Sequence, residues 1–341
     1  MKRALFLLTL LLAASLLPAA DQPKLSNMPA AVSSNAVAAL KGGLELFSIM
    51  GIGPRKTWDD VTNRVYIFNL ATGKWRDGRP VPGVAGRLGA SAINAKGKVF
   101  LFGGYVVDKQ GELTVSDVNA YVPEDHKWYR GADIPVPVDN AVIGVNRDRY
   151  VYLVGGRSKS GPVNNVQVFD AEKNTWSQGT PFPGTPVFGH AGALADDALV
   201  FVDGAKQNPG ASYVASDECW MGKIDHKDPN KIEWTKLPPH PGPAHFGIAS
   251  GADGHKIYFS GGSASPHDFR GIGYDGQPAD VASVTFTFDP RTKAWETLDE
   301  DTLDPRMDCR GILATPAGPV ILGGMEKGQV PTARATLLAR K

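Results

Sequence analysis

The chain has 341 residues, 42% hydrophobic and 21% charged, a balance that supports a packed core and excludes a disordered polymer. Its 39 Gly and 26 Pro make up nearly a fifth of the residues, above the ~12% of an average chain, which excludes a helix-rich protein and points to many turns between short strands. With 36 basic against 35 acidic residues it lacks the basic excess of proteins that track phosphate backbones, so no nucleic-acid partner is expected.

Residues 1–20, MKRALFLLTLLLAASLLPAA, read as a signal peptide: a basic start at Lys2 and Arg3, an apolar run to Leu17, and small Ala19 and Ala20 before Asp21. The apolar run is short for a membrane span, and no other stretch reaches the ~18–20 apolar residues of one. The mature protein, residues 21–341, is therefore expected to be periplasmic or secreted, with no membrane span after cleavage. The next segment, KLSNMPAA at 24–31, has the Leu-x-x-x-Pro character of TKLPPHPG further on.

From there the chain repeats six times. A short apolar run ending in glycine recurs as LFSIMG (46–51), VFLFGG (99–104), VYLVGG (151–156), LVFVDG (199–204), IYFSGG (257–262) and PVILGG (319–324). The final glycines are 53, 52, 48, 58 and 62 residues apart, a period suited to one four-stranded propeller blade per repeat. A second landmark keeps the same phase: an aromatic seven residues before a tryptophan, in Phe68 and Trp75, Tyr121 and Trp128, Phe169 and Trp176, Phe288 and Trp295. The residues between, such as NLATGK and DPRTKA, suit tight turns. Blade 4 keeps its tryptophan, Trp234, but its third strand, near Cys219–Ile224, is displaced by an insertion. Proline-rich exits follow the tryptophans and mark strand ends. The last unit reaches a third strand near Ala335–Ala339 and has no Trp-led fourth strand, so residues 24–31 are predicted to complete it and close the ring. Cys219 and Cys309 fall in non-adjacent units and read as unpaired, buried thiols.

A diglycine, a spaced aromatic and a tryptophan, repeated over nearly the whole mature chain, resemble the kelch repeat. The resemblance implies an all-β fold: a single six-bladed kelch-type β-propeller, closed by the N-terminal strand.

In a propeller the first strand of each blade lines the central channel, and the loops beside it form one face. Polar residues at first-strand starts are Asn35, Arg87, Asp139, Asn140, His190, His245, Arg306, Asp308 and Arg310. Loops after the Gly-Gly add Arg55, Lys56, Trp58, Asp59 and Asp60 in blade 1, Tyr213, Asp217 and Glu218 in blade 4, and His267, Asp268, Phe269, Arg270, Tyr274 and Asp280 in blade 5. Arginines and histidines facing one funnel would make a weakly cationic pocket for a small anion. The sequence has no G-x-S-x-G, H-E-x-x-H, C-x-x-C, P-loop or EF-hand pattern, so serine-triad and zinc hydrolysis find no support. Copper radical oxidases also use kelch propellers, but their two-histidine, two-tyrosine centre finds no matching set here.

A signal peptide, six kelch units and no further domain resemble the bacterial N-acetylneuraminate epimerase family. That resemblance implies anomer interconversion of a free sugar acid by acid/base catalysis, without metal or cofactor. On position alone, Arg87 and Arg310 are the candidate anchors for a carboxylate, with Asp308, Asn140, Arg55 and Trp58 completing the binding set. His190 or His245 is the candidate acid or base, and Glu218 or Asp217 the alternative base. The competing reading is a non-catalytic propeller that binds a protein or glycan on the same face.

Overall fold

A computed structural model describes residues 25–83, 86–209, 212–298 and 305–338. The predicted signal peptide lies outside the described residues. Six antiparallel sheets follow one another along the chain. Blade 1 comprises Ala36–Leu40, Glu45–Ile49, Val65–Asn69 and Lys74–Asp77, paired in chain order from the innermost strand outward. Blades 2 to 5 repeat this order, with first strands Ser91–Ala95, Val142–Asn146, Ala191–Ala195 and Ala249–Asp253. Blade 6 comprises Ile312–Leu313, Val320–Leu322 and Ala335–Leu337. The described residues include no α-helix, only the 3-10 turns Lys41–Gly43 and Trp58–Asp60.

The repeated landmarks hold each blade to its neighbour. Phe68, Tyr121, Phe169 and Phe288 sit opposite Trp75, Trp128, Trp176 and Trp295 in register, with ring centroids 4.4–5.3 Å apart. Such pairs add about 0.5–1.5 kcal/mol each beyond their burial. Each indole N–H then reaches the exit of the blade before it: Trp128 to Arg79 O (2.8 Å), Trp176 to Ala132 O (2.9 Å), Trp234 to Thr180 O (3.0 Å) and Trp295 to Pro238 O (3.2 Å).

In blade 1 the partner of Trp75 is Ser26 O, at 2.9 Å. The N-terminal segment thus stands where the exit of a sixth blade would be. Met28 N donates to Ala333 O and Val32 N to Thr332 O, while Met28 and Val32 pack with Leu313, Val320 and Leu322. The ring closes through this segment, joined by single bridges rather than a long ladder. Cys219 and Cys309 are unpaired and buried, as the repeat phase implied.

Between the second and third strands, each blade sends a loop to one face of the ring. It forms a short hairpin in blades 2, 3, 4 and 6, as in Tyr105–Asp108 with Gly111–Thr114. Six equivalent bridges tie the residue after each run-ending glycine to the entry of the first strand: Ser33–Ile52, Leu88–Tyr105, Asp139–Arg157, Phe188–Ala205, Phe246–Ser263 and Met307–Met325. These bridges hold the loops over the channel.

Candidate functional site

One residue from each blade, immediately after its bridge, forms a ring around the axis: Ser34, Gly89, Asn140, Gly189, Gly247 and Asp308. All six are left-handed, with φ of 53–66°, because the chain must turn sharply from the loop face down into the first strand. Three are glycines, which take this conformation without cost, and two are Asn or Asp, which tolerate it best among the rest. Neighbours bond around the ring: Asn140 N to Gly89 O, Gly189 N to Asn140 O, Gly247 N to Gly189 O, Ser34 N to Asp308 O, and Gly89 N to Ser34 Oγ. Below the ring lies a central cavity of about 350 Å³, walled mostly by small apolar residues of the first strands.

Above the ring is a smaller, strongly polar pocket. It is lined by Asn140, Arg157, His267, Asp268, Asp308 and Arg310, with aromatic walls from Tyr105, Phe188, Phe246, Phe269 and Tyr274. Asp139, whose carboxylate is completely buried, organises one side. It accepts from Asn140 Nδ2 (2.6 Å), Thr114 Oγ1 (2.7 Å) and Arg157 Nε (3.2 Å). Arg157 Nη2 also meets Glu112 Oε2 at 2.7 Å, and its guanidinium lies 5.2 Å from the Tyr105 ring centroid and 5.5 Å from that of Phe188. Burial opposes the charge on Arg157, but the carboxylates of Asp139 and Glu112 outweigh it, so the cation is held firmly. Opposite, Arg310 Nη2 bonds Asp308 Oδ1 (2.5 Å) and Ser34 Oγ (3.0 Å). Its Nε, with Asp308 Oδ2 and Asn140 Oδ1, is buried without a partner.

His267 supplies a proton acceptor. Its Nδ1 lies 2.9 Å from Asp268 O, and a carbonyl can only accept, so Nδ1 carries the proton and Nε2 offers its lone pair. That Nε2 is buried and unpartnered. Burial lowers the imidazole pKa against the pull of Asp308, so the ring is neutral near pH 7. Burial raises the Tyr274 phenol well above its usual value, which keeps it a proton donor.

The long blade 5 loop, residues 263–282, crosses this pocket. Phe269 packs with Ile52, Leu88 and Tyr105 of blades 1 and 2. Tyr274 meets Tyr213 edge-on with ring centroids 4.9 Å apart, and Ser212 Oγ donates to Tyr274 O at 2.8 Å. Lys56 of blade 1 donates to Arg270 O (2.9 Å) and Gln329 O (2.8 Å), and Gln329 Nε2 to Ala279 O (2.8 Å). Beneath this strap about 10 Å³ is free, room for one water at most.

The sequence-derived candidates divide. Asn140, Asp308 and Arg310 stand at the pocket. Arg87 does not reach it: it is fully buried, donating from Nη1 to Gly103 O and Asp117 O (both 3.0 Å) and from Nη2 to Asn119 Oδ1 (2.7 Å). Desolvation lowers its pKa to about 10. It ties the entry of blade 2 to that blade's own later strands, so its expected role as anchor is corrected. His245 is buried beside the Asp203–His240 pair, its backbone N–H on Asp203 Oδ2 at 2.8 Å, and burial lowers its pKa to about 4. His190 borders the channel below the ring, but its ring lies against Gly155 and Phe201 of blades 3 and 4, and burial lowers its pKa to about 3. Glu218 is held by Trp220 Nε1 (2.7 Å) and Thr185 Oγ1 (2.9 Å), and Asp217 is exposed; neither lines the pocket. Arg55 pairs with Asp59 and Asp60 of its own loop, and Trp58 is exposed under Lys109. Neither lines the pocket.

Arg157 and Glu112 are absent from the sequence-derived set. A signal for Arg157 was present: the residue after the glycine that ends each blade's apolar run is Ile52, Tyr105, Arg157, Ala205, Ser263 or Met325, and only one of the six is charged.

Comparison with known proteins agrees with this architecture. Residues 36–262 match the KLHDC2/KLHL20/DRC7 Kelch-repeats domain. N-acetylneuraminate epimerase 1 of Escherichia coli O6:H1 is 28% identical over 268 residues, 66% of this chain and 67% of that protein. Kelch-like protein 15 of Gallus gallus is 33% identical over 107 residues, and beta-scruin of Limulus polyphemus 24% over 212 residues. Each of those two alignments covers 22% of the relative's length. The solved structure of YjhT superposes with a TM-score of 0.76 over 93% of this chain and 97% of that one, at 18% identity, a likeness of fold. The closed six-bladed ring, its diglycine bridges and the match over residues 36–262 establish that this chain belongs to the kelch-repeat family.

Proposed function

We propose that this protein interconverts the anomers of a free sugar acid such as N-acetylneuraminate, at the pocket above the ring. The observation that carries the reading is the convergence of Arg157 and Arg310 with the unpartnered Nε2 of His267 inside aromatic walls. The 28% identity to N-acetylneuraminate epimerase 1 supports it. The guanidiniums would hold the carboxylate. His267 Nε2 would take the proton of the anomeric hydroxyl while the Tyr274 phenol gives one to the ring oxygen. The ring opens to the ketone, the carbonyl turns its other face, and the two proton transfers reverse on closure. The imidazolium formed on the way faces Asp308, whose charge favours it. These steps use side chains alone. We further propose that the chain is exported, on the strength of residues 1–20.

The test is anomeric exchange followed by NMR, with N-acetylneuraminate freshly released as one anomer. The expected result is a rate above the buffer blank that is lost in Arg157→Ala and falls at least ~100-fold in His267→Asn, the usual scale of general acid/base catalysis. No acceleration with sialic acid or with other free sugars would refute the reading. Weight would then move to a protein- or glycan-binding propeller, which the exposed Trp58, Leu113, Val214 and Val330 on loops of the same face favour.

A further inference from the structure

We infer that the blade 5 strap, residues 263–282, is a gate over this pocket, latched by Lys56, and that its closure delivers the proton-transfer groups to a ligand held by the blades. The inference deepens the proposed function and rests on that reading for its catalytic half; the gate itself rests on geometry alone. Access is the first ground. With the strap closed the pocket has room for one water at most, so any larger ligand requires the strap to move.

The second ground is the division of labour. Arg157 follows the diglycine of blade 3 and Arg310 precedes the first strand of blade 6, so both cations are fixed to the rigid ring through Asp139 and Asp308. His267, Phe269 and Tyr274 all ride on the strap. An open strap would leave the anion site intact and withdraw the acceptor, the donor and one aromatic wall together.

The third ground is how the strap is held. It is built from its own turns: Asp268 N to Ile272 O, Gly271 N to Asp268 O, Gly273 N to Gln277 O, and Ala279 N to Gly271 O. It can therefore move as a unit. Gly261 and Gly262 stand at its entry with φ of 73° and 90°, where glycine allows a change of direction. Among the described residues its polar ties to other blades are few: the Lys56 ammonium on Arg270 O, Gln329 on Ala279 O, and Ser212 on Tyr274 O. Lys56 also reaches Gln329 O, so one cation joins the loops of blades 1, 5 and 6.

The experiment is amide hydrogen exchange on the full chain, comparing the wild type with Lys56→Met and, as a second variant, Phe269→Ala. A gate requires the strap amides of Asp268, Gly271 and Ala279 to exchange faster than those of the flanking strands Lys256–Ser260 and Thr285–Asp289. It also requires each variant to speed strap exchange by at least about tenfold, for Lys56→Met through one lost charge-assisted tie and for Phe269→Ala through the lost apolar packing on Ile52, Leu88 and Tyr105, while the flanking strands are unchanged. Strap amides as slow as those strands, or unmoved by both variants, overturn the gate. In the NMR assay Lys56→Met is expected to change kcat with KM for the sugar acid little altered, because the anchors stay on the blades; a change in KM alone overturns the catalytic half. If the wild type shows no mutarotation, the proposed reaction fails and the exchange data still decide the gate.

Discussion

Replacing Arg157 by alanine tests the electrostatic design of the pocket. The substitution leaves the Asp139 carboxylate with no exposure and no cation, retaining Thr114 Oγ1 and Asn140 Nδ2. Breaking a buried ion pair from one side costs about 3–5 kcal/mol, and the two surviving hydrogen bonds place this case near 3 kcal/mol at pH 7. The pH dependence is the sharper signature. Burial already raises the Asp139 pKa, and loss of Arg157 raises it further. Between about pH 4 and that higher folded value the folded variant binds more protons than the unfolded chain, so its stability falls as pH rises, by up to about 1.4 kcal/mol per unit. The deficit relative to wild type should therefore shrink on going from pH 7 to pH 5. Urea unfolding of the wild type, Arg157→Ala and the double variant Arg157→Ala with Asp139→Asn measures it, and the double variant should recover most of the loss because no buried charge remains. A deficit below about 1 kcal/mol at pH 7, or a double variant no more stable than the single, would refute this account of the pair.

Other outcomes follow from the same geometry. Arg87→Met strands the carbonyls of Gly103 and Asp117 and the amide of Asn119, so a loss of about 3 kcal/mol is expected in urea unfolding, with normal turnover per folded molecule. Burial lowers His190 to about 3 and His245 to about 4; the unfolded chain binds those protons near pH 6.5, so stability should fall as pH drops from there toward 4, by up to about 1.4 kcal/mol per unit for each histidine. The double variant His190→Asn with His245→Asn should flatten that slope in thermal melts. Trp75→Phe removes the indole bond to Ser26 O and should cost about 1 kcal/mol, and a chain starting at Ser33 should melt markedly lower, since Met28 and Val32 leave the blade 6 core.

The architecture was legible because its cause is local and repeated. The glycine-ended apolar run recurs six times and the aromatic–tryptophan pair four times, all with one blade's period, and that phase leaves little choice of fold. Closure was legible for a related reason: a blade lacking its outer strand must find one, and residues 24–31 resembled the other exits.

The site was legible only in part, and the ring residues explain why. A strand alternates its side chains, so positions two apart should share a face. The left-handed residue at the start of each first strand breaks that alternation. Two positions before it lies a core site, occupied by Val32, Arg87, Val138, Val187, His245 and Arg306, each at most 4% exposed. One position after it, Asn35, His190 and Cys309 are also buried. The ring residue and the two positions after it, such as Asn140, His190 and Arg310, border the axial cavity, whereas the core site two positions before the ring residue does not reach it. Counting from sequence therefore placed Arg87 and His245 at the axis with Asn140, His190 and Arg310, which do border it.

Sequence alone determined the blades, their order, the closure of the ring and the face on which the loops gather, because these depend on short-range pattern. Tertiary structure decided which charges meet. Arg157 stands 18 residues from Asp139 and 45 from Glu112 in the chain, and the blade 5 strap reaches blades 1, 4 and 6 through contacts up to 214 residues apart. Those pairings follow from the curvature of the closed ring, which brings six distant loops over one axis; no local property of the chain encodes that distance.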